Sequence, residues 1–530
     1  MEHFMIMSIV RKSLKYKGLF ILVNVLLIIV YACEMLIPYM FSQFVDNITL
    51  TGTFSVVLEP VLIITLALVV LLIASFIKHV YSEYLISKVN NDFLDELDKK
   101  LESLPLKVTQ KENPSYLNRR LFNDIITAVT FVHENFSVAI IMSLSSLVLL
   151  GLIASIQKLM LPVVFLAVFI NTLGILVFHK LIYKRGYEYR EIHNLYYSSN
   201  NDRLSNIKET KIHAWYDISG HQVNQNFNNL LNKGIQVYKV MASISNIGTL
   251  SKNISLILSI LLGGYLFTLD KMSIGQLILV STYTNMCLIN TESFLKLGQE
   301  YQHAKVSYNR LHEFLDMPDE ANGDLVLEDI HNLEIKDLSF SYDESKRLIS
   351  SLDLVLTRGK IYCLKGKNGH GKTTLVDLIL GLNHDYCGAI RYNGHELKDL
   401  DMRHARKHLI SVVLQEPQMQ RISVKDNLYR GLQTSSDDKA VFDIEEILDL
   451  EDAQTLSGGE KQKIAVLRAL LKGSEVLILD EPVSAMDAEG IRQLKNELQA
   501  MKSKKIILLI SHNEEVFDIV DEFIEIKDMY

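Results

Sequence analysis

What this sequence lacks narrows it first. Among 530 residues there are four cysteines, Cys33, Cys287, Cys363 and Cys387, with no CxxC pair and no Cys/His spacing. Neither a disulfide framework nor a zinc site is indicated. There is no basic surplus: the formal net charge is −8, and Lys and Arg gather in particular connections instead of covering one face. That pattern excludes nucleic acid as the expected partner. A cleavable signal is missing too. The stretch RKSLKYKG is basic and precedes an apolar run, but the run continues from Gly18 to Phe44 and no small-residue cleavage site ends it. The reading is a retained span preceded by an interfacial helix, with Arg11, Lys12, Lys15 and Lys17 near lipid head groups.

What is present is apolar and unevenly placed. Apolar residues make up 48% of the chain and the mean hydropathy is +0.16, with nearly all the long apolar runs before residue 300. Six segments are long enough for the roughly 20 residues a bilayer requires: 18–44, 57–80, 128–156, 159–182, 243–269 and 274–297. The loop 45–56 has no Lys or Arg, whereas 78–125 carries eight and 180–252 carries ten. The positive-inside rule then places both termini and the two long connections in the cytoplasm. These connections have helical apolar spacing and no Gly/Ser-rich interruption, so the spans are expected to continue as helices into water. Glu34, in YACEMLIPY, is a candidate cavity contact, and Glu292 with Lys296 has the spacing of an i,i+4 pair.

After the acidic, turn-rich stretch DMPDEANGDLVLED, strand-like runs alternate with helical ones, which predicts an α/β domain from residue 333. KIYCLKGKNGHGKTTLVDLIL places Gly366, Gly371, Lys372 and Thr373 in the order G-x-x-x-x-G-K-T between a strand and a helix, with Asn368 and Gly369 inside the loop and Thr374 after it. Glycines let backbone N–H groups turn toward phosphate oxygens. Lys372 would reach the β/γ-phosphates and the Thr373 hydroxyl would ligate Mg²⁺. EVLILDEP then supplies Asp480 for the metal and Glu481 as the base for an attacking water, 109 positions after Gly371.

At this point the soluble half resembles the nucleotide-binding domain of ATP-binding cassette (ABC) transporters, because LSGGEKQK at 456–463 matches the family signature. The resemblance implies further roles. Tyr342 would stack on adenine, Gln415 would be the lid glutamine contacting Mg²⁺ and water, Asp487 follows the acid pair, and His512 would sense the γ-phosphate. Ser457, Gly458 and Gly459 would contact ATP held by a second copy. The amino-terminal half resembles the six-span exporter type of the same family. NPSYLNRRLFNDI at 113–125, with Arg120 and Asp124, is similar to its first coupling segment, and LSNIKETKIHAWYD to the stretch following the second.

The expected fold class is therefore a polytopic α-helical membrane domain of six spans at 1–313, a linker at 314–332, and an α/β P-loop ABC domain at 333–530. Its expected cofactors are ATP and Mg²⁺. The expected partners are a second copy of the chain, the lipid bilayer of a bacterial cytoplasmic membrane and an exported substrate, with a peptide or bacteriocin preferred over a drug or lipid. A membrane-bound regulatory or immunity ATPase is the alternative from another class. Three departures from the family pattern stand out. Only 42 positions separate Gln415 from Ser457, so a reduced helical subdomain is expected. Lys463 stands where an arginine is usual, keeping charge but losing the planar fork. The chain runs only 18 residues past His512, and with the first span near residue 18 no peptidase module is expected before it.

Overall fold

The carboxyl-terminal apolar runs become parallel strands because nothing in them tolerates water. Val476–Asp480 and Ile506–Ile510 are buried at every position, the pattern of strands covered on both faces. In the computed structural model, which describes residues 2–51, 54–109, 114–343, 346–366, 371–430, 441–442 and 444–525, nine strands form two sheets. They are β1 (Asn332–Asp343), β2 (Lys346–Thr357), β3 (Ile361–Lys365), β4 (Cys387–Tyr392), β5 (His395–Glu396), β6 (Ile410–Val413), β7 (Val476–Asp480), β8 (Ile506–Ile510) and β9 (Glu522–Glu525). An antiparallel sheet has the order β2-β1-β4-β5 and a parallel sheet the order β6-β7-β8-β3-β9.

Side-chain alternation divides the core. Ile478, Leu508 and Ile510 pack with Leu364 and the antiparallel sheet. Their neighbours Leu477, Leu479, Ile507 and Leu509 pack on the opposite face with residues of the helices Gly458–Leu471 and Ala488–Met501. Each face is sealed by a different layer, so the parallel sheet has no solvated side on which its strands could slip register.

The chain divides into two compact units. One contains Met1–Lys99 and Ser115–Asp316, and the other Lys100–Pro114 and Met317–Tyr530. The short segment Lys100–Pro114 is thus part of the second unit. Lys100 Nζ and Ser103 Oγ both donate to Asp319 at 2.6 Å, the Glu320 amide donates to the Ser103 carbonyl at 2.7 Å, and Glu320 accepts a bidentate pair from Arg406.

The first unit is helical. Among the described residues, five helices are long and apolar enough to cross a membrane, Met5–Thr49, Val56–Ser103, Leu121–Ile156, Lys158–Ser205 and Val223–Thr268. At about 1.5 Å per residue, the 50-, 45- and 53-residue helices Phe54–Ser103, Leu161–Ser205 and Tyr216–Thr268 far exceed a hydrocarbon core of about 30 Å. In each, the helix continues past the apolar run into the polar connection. The sixth expected span, 274–297, opens the helix Ile274–Leu315. It is less apolar because its polar residues face protein: Thr284 and Asn290 are buried, and Asn285 lines a cavity.

Polar contacts tie these helices where apolar surface cannot distinguish helix from lipid. Asn290 donates to Ser145 and Ser146 at 3.0 and 2.9 Å, Ser251 to the Ala167 carbonyl at 2.6 Å, and Tyr283 to the Met35 carbonyl at 3.0 Å. Of the amino-terminal cations, Lys15 pairs with Asp92 at 2.7 Å and Lys12 with Glu96. In the second connection, the short helix Ile207–Ile212 leads to His213 stacked on Trp215.

Candidate functional site

The carboxyl ends of parallel strands are where open α/β sheets bind ligands. Register brings the motif residues to that edge. Leu364 of β3 and Asp480 of β7 both pair with Ile510 of β8, so Gly366, Glu481 and His512 leave the sheet together. Val413 of β6 pairs with Leu479, which puts the exposed Gln415 at the same edge.

Gly371 adopts φ +84°, a conformation most side chains resist, and begins the helix Lys372–Ile379. Free N–H groups at such a terminus favour an anion. Lys372 Nζ donates to the Gly366 carbonyl at 2.6 Å and contacts Nε2 of His512. The Thr373 hydroxyl hydrogen-bonds Asp480, while Thr374 is buried behind it.

Asp480 is 5% exposed, and its carboxyl is pushed above the usual aspartate value, first by burial and then by the charge of Glu481. Two carboxylates crowded at a buried strand end, with a hydroxyl beside one of them, form an oxygen donor set suited to Mg²⁺. That ion needs only one or two protein ligands when phosphates and waters complete its shell. Among the described residues no group of three or more His, Cys, Asp or Glu is placed to hold a metal alone.

Glu481 is anchored through its backbone. Its φ is +48°, its amide donates to the Ile510 carbonyl at 2.8 Å, and its own carbonyl accepts from Gln462 Nε2 at 3.0 Å. The carboxylate lies 3.9 Å from Nε2 of His512. Gln462 is 2% exposed and had no role in the sequence reading, although it stands inside LSGGEKQK. Only the fold reveals that the signature helix holds the turn bearing Glu481.

Ser457 caps the helix Gly458–Leu471 in a reciprocal box: its amide donates to Glu460 at 2.7 Å and the Glu460 amide to Ser457 Oγ at 3.4 Å. These hydrogen bonds to Ser457 hold the Glu460 carboxyl below its ordinary value. Gly459 packs so closely that a Cβ there would lie 2.5 Å from the Ala485 carbonyl oxygen. Lys463 pairs with Asp487 at 2.8 Å, which holds the Asp487 carboxyl below its usual value. The lysine therefore retains an acidic partner without the fork.

Asn368 and Gly369 lie outside the described residues. Tyr342 belongs to β1, but its side chain, like those of Arg120 and Lys296, lies outside them too. Asp124 is buried and paired with Arg310 of the helix Ile274–Leu315. Glu34 is exposed on the helix Lys17–Thr51, and Glu292 lines a cavity.

Comparison with known proteins adds two family matches: residues 20–291 match the ABC transporter transmembrane region, and residues 349–484 match the ABC transporter domain. The lactococcin-A transport/processing ATP-binding protein of Lactococcus lactis subsp. lactis is 27% identical over 408 residues, covering 72% of this chain and 56% of the relative. The ATP-dependent lipid A-core flippase of Haemophilus influenzae is also 27% identical, over 48% of this chain and 47% of the relative. The chain spans a little over half the length of the lactococcin relatives it matches. A solved bacterial Atm1-family ABC exporter with ATP bound shares the fold, with a TM-score of 0.80, 16% identity, and coverage of 96% of this chain and 94% of that one.

Proposed function

The chain belongs to the ABC transporter family, and we propose that it is a half-transporter, two copies of which couple ATP hydrolysis to export of a peptide or modified peptide. The dimer resides in a bacterial cytoplasmic membrane with both termini in the cytoplasm. The reading is carried by one cluster, in which Lys372, Thr373, Asp480, Glu481 and His512 converge at the edge of a parallel sheet. Among its described residues the same chain bears five helices long and apolar enough to span a membrane.

In this reading the backbone from Gly366 to Gly371, with Asn368, Gly369 and Thr374, cradles the phosphates, and Lys372 neutralises them. Thr373, Asp480 and Gln415 hold Mg²⁺, which when bound offsets charge developing on the transferred phosphoryl group. Glu481 orients and deprotonates the attacking water, His512 contacts the γ-phosphate, and Tyr342 stacks on the base. Ser457, Gly458 and Gly459 close on the phosphate loop of the second copy, with Asp487 beside that seam. One phosphate loop and one signature per chain, with every motif residue present, favour a symmetric homodimer with two working sites. ATP must bind the closed dimer more tightly than the open one, because equal affinity would shift nothing.

Similarity to the lactococcin-A transport protein supports a peptide cargo. The test is ATP-driven uptake into inverted vesicles carrying the purified protein, offered unmodified peptides, modified peptides and a fluorescent lipid in parallel. Peptide accumulation that requires Glu481 is expected. Lipid transfer alone would move the assignment to a flippase, and hydrolysis with no transported or stimulating compound would move it to a regulatory ATPase.

A further inference from the structure

A cavity of about 570 Å³ lies within the helical unit between the helices Leu161–Ser205, Tyr216–Thr268 and Ile274–Leu315. Its volume is in the range of small-ligand sites, roughly 300–1,000 Å³. The wall is apolar through residues such as Ile175, Ile244 and Leu288, but it also carries Asn171, Lys252 and Glu292.

Three observations make this more than a gap between helices. Asn171 is 1% exposed, and its Nδ2 has no hydrogen-bond partner. A buried donor left without an acceptor is costly and calls for an occupant that accepts. Among the described residues, neither Lys252 nor Glu292 is in an ion pair, although both line the cavity and both lie in expected membrane spans. Room for Glu292 is built in: a Cβ on Gly248 would lie 2.7 Å from Glu292 Oε1 and 3.6 Å from Asn171 Oδ1. The glycine lets the carboxylate lie against the backbone of the facing helix.

We infer that this cavity recognises a zwitterionic short peptide: Glu292 takes the ammonium, Lys252 the carboxylate, and Asn171 Nδ2 donates to a backbone carbonyl. The inference rests on the export reading above and specifies its substrate class. A purely apolar drug would pair with none of the three and would leave the buried Asn171 Nδ2 without an acceptor. A phosphoethanolamine head group has matching charges but no amide carbonyl next to them for Asn171.

The test is equilibrium binding of tritiated trialanine to the full-length protein in nanodiscs without ATP, compared with N-acetyl-trialanine, trialanine amide and glycerophosphoethanolamine. Each blocked terminus is expected to weaken binding about 10- to 100-fold, the worth of a hydrogen bond to a charged group. Glu292→Gln should bind the free and acetylated peptides equally, Lys252→Met the free acid and the amide equally, and Asn171→Asp should weaken all of them. Equal binding of free and blocked peptides by the unsubstituted protein overturns the inference whatever the variants do. Preference for glycerophosphoethanolamine overturns it in favour of a lipid head group. Binding as described without ATP-driven uptake would overturn export and leave the cavity assignment standing. Uptake indifferent to terminal charge would do the reverse.

Discussion

Replacing Glu481 by glutamine isolates its carboxylate from everything else that holds the residue. The backbone there is at φ +48°, a region that costs a non-glycine residue about 1–3 kcal/mol. It is kept by the hydrogen bond that the Glu481 amide donates to the Ile510 carbonyl and by the one that Gln462 Nε2 donates to the Glu481 carbonyl. Glutamine has the same shape and makes the same backbone bonds, so the turn and the phosphate loop should persist and ATP affinity should change little. What disappears is proton acceptance beside His512. Loss of a positioned base typically costs about 10²–10⁴ in rate, and at 1.36 kcal/mol per decade this is roughly 3–5 kcal/mol of barrier. Phosphate release by the reconstituted protein, measured beside equilibrium binding of a fluorescent ATP analogue, reads the two effects separately. Slow turnover with intact binding is expected. Hydrolysis within tenfold of the unsubstituted protein would refute the assignment of Glu481 as the base.

Other consequences follow from the same contacts. Gln462→Leu leaves the partly buried Glu481 carbonyl without its donor, and an orphaned group costs up to about 1–3 kcal/mol. Steady-state hydrolysis should therefore fall about tenfold or more while nucleotide still binds, and an unchanged rate would show that the turn holds itself. Asp46→Ala frees Ser273 Oγ and the Gly275 amide at the start of the helix Ile274–Leu315. A lost cap of about 0.5–2 kcal/mol should lower the thermal midpoint of the solubilised protein. The Asp319 carboxyl is held below its ordinary value of 3.8, first by its hydrogen bond from Lys100 and then by that from Ser103. A depressed folded value means that this contribution is complete above 3.8 and is lost as pH falls through the lower folded value. Hydrogen-exchange protection in 100–109, relative to the unstructured rate at the same pH, should fall only in that acid window, and a loss of protection beginning near neutral pH would count against the ion pair as the fastening.

The cluster of Lys372, Thr373, Asp480, Glu481 and His512 was legible because the chemistry proposed for it dictates local sequence. A phosphate cradle needs glycine at Gly371, a cation at Lys372 and a hydroxyl at Thr373 in one short run, and the acid pair must end an apolar strand. The spans were legible for a related reason, since lipid demands unbroken apolar length. What the sequence hid were contacts between segments far apart in the chain. Nothing local marks Gln462 as the donor to Glu481, or Asp46 as the cap partner of Ser273. A basic amino-terminal stretch suggests an anion but does not say which, and here Asp92 and Glu96 take two of its lysines. The sixth expected span, 274–297, is not among the described helices apolar enough to cross a membrane, because polar residues such as Asn285 and Asn290 face a cavity or neighbouring helices.

The central claim is that each ATP site is shared between two copies, and complementation of two inactive variants tests it most directly. Lys372→Ala removes the cation proposed to neutralise the phosphates. Gly458→Asp places a carboxylate at the signature helix, where the fold has room for it, the nearest foreign atom to a new Cβ being Ala485 Cβ at 4.0 Å. A mixed dimer has one doubly disabled site and one site built from the intact loop of one copy and the intact signature of the other. Purified mixed dimers should hydrolyse ATP well above either variant alone, approaching half the unsubstituted rate if the sites act independently. Mixed dimers no more active than the separate variants would contradict the account.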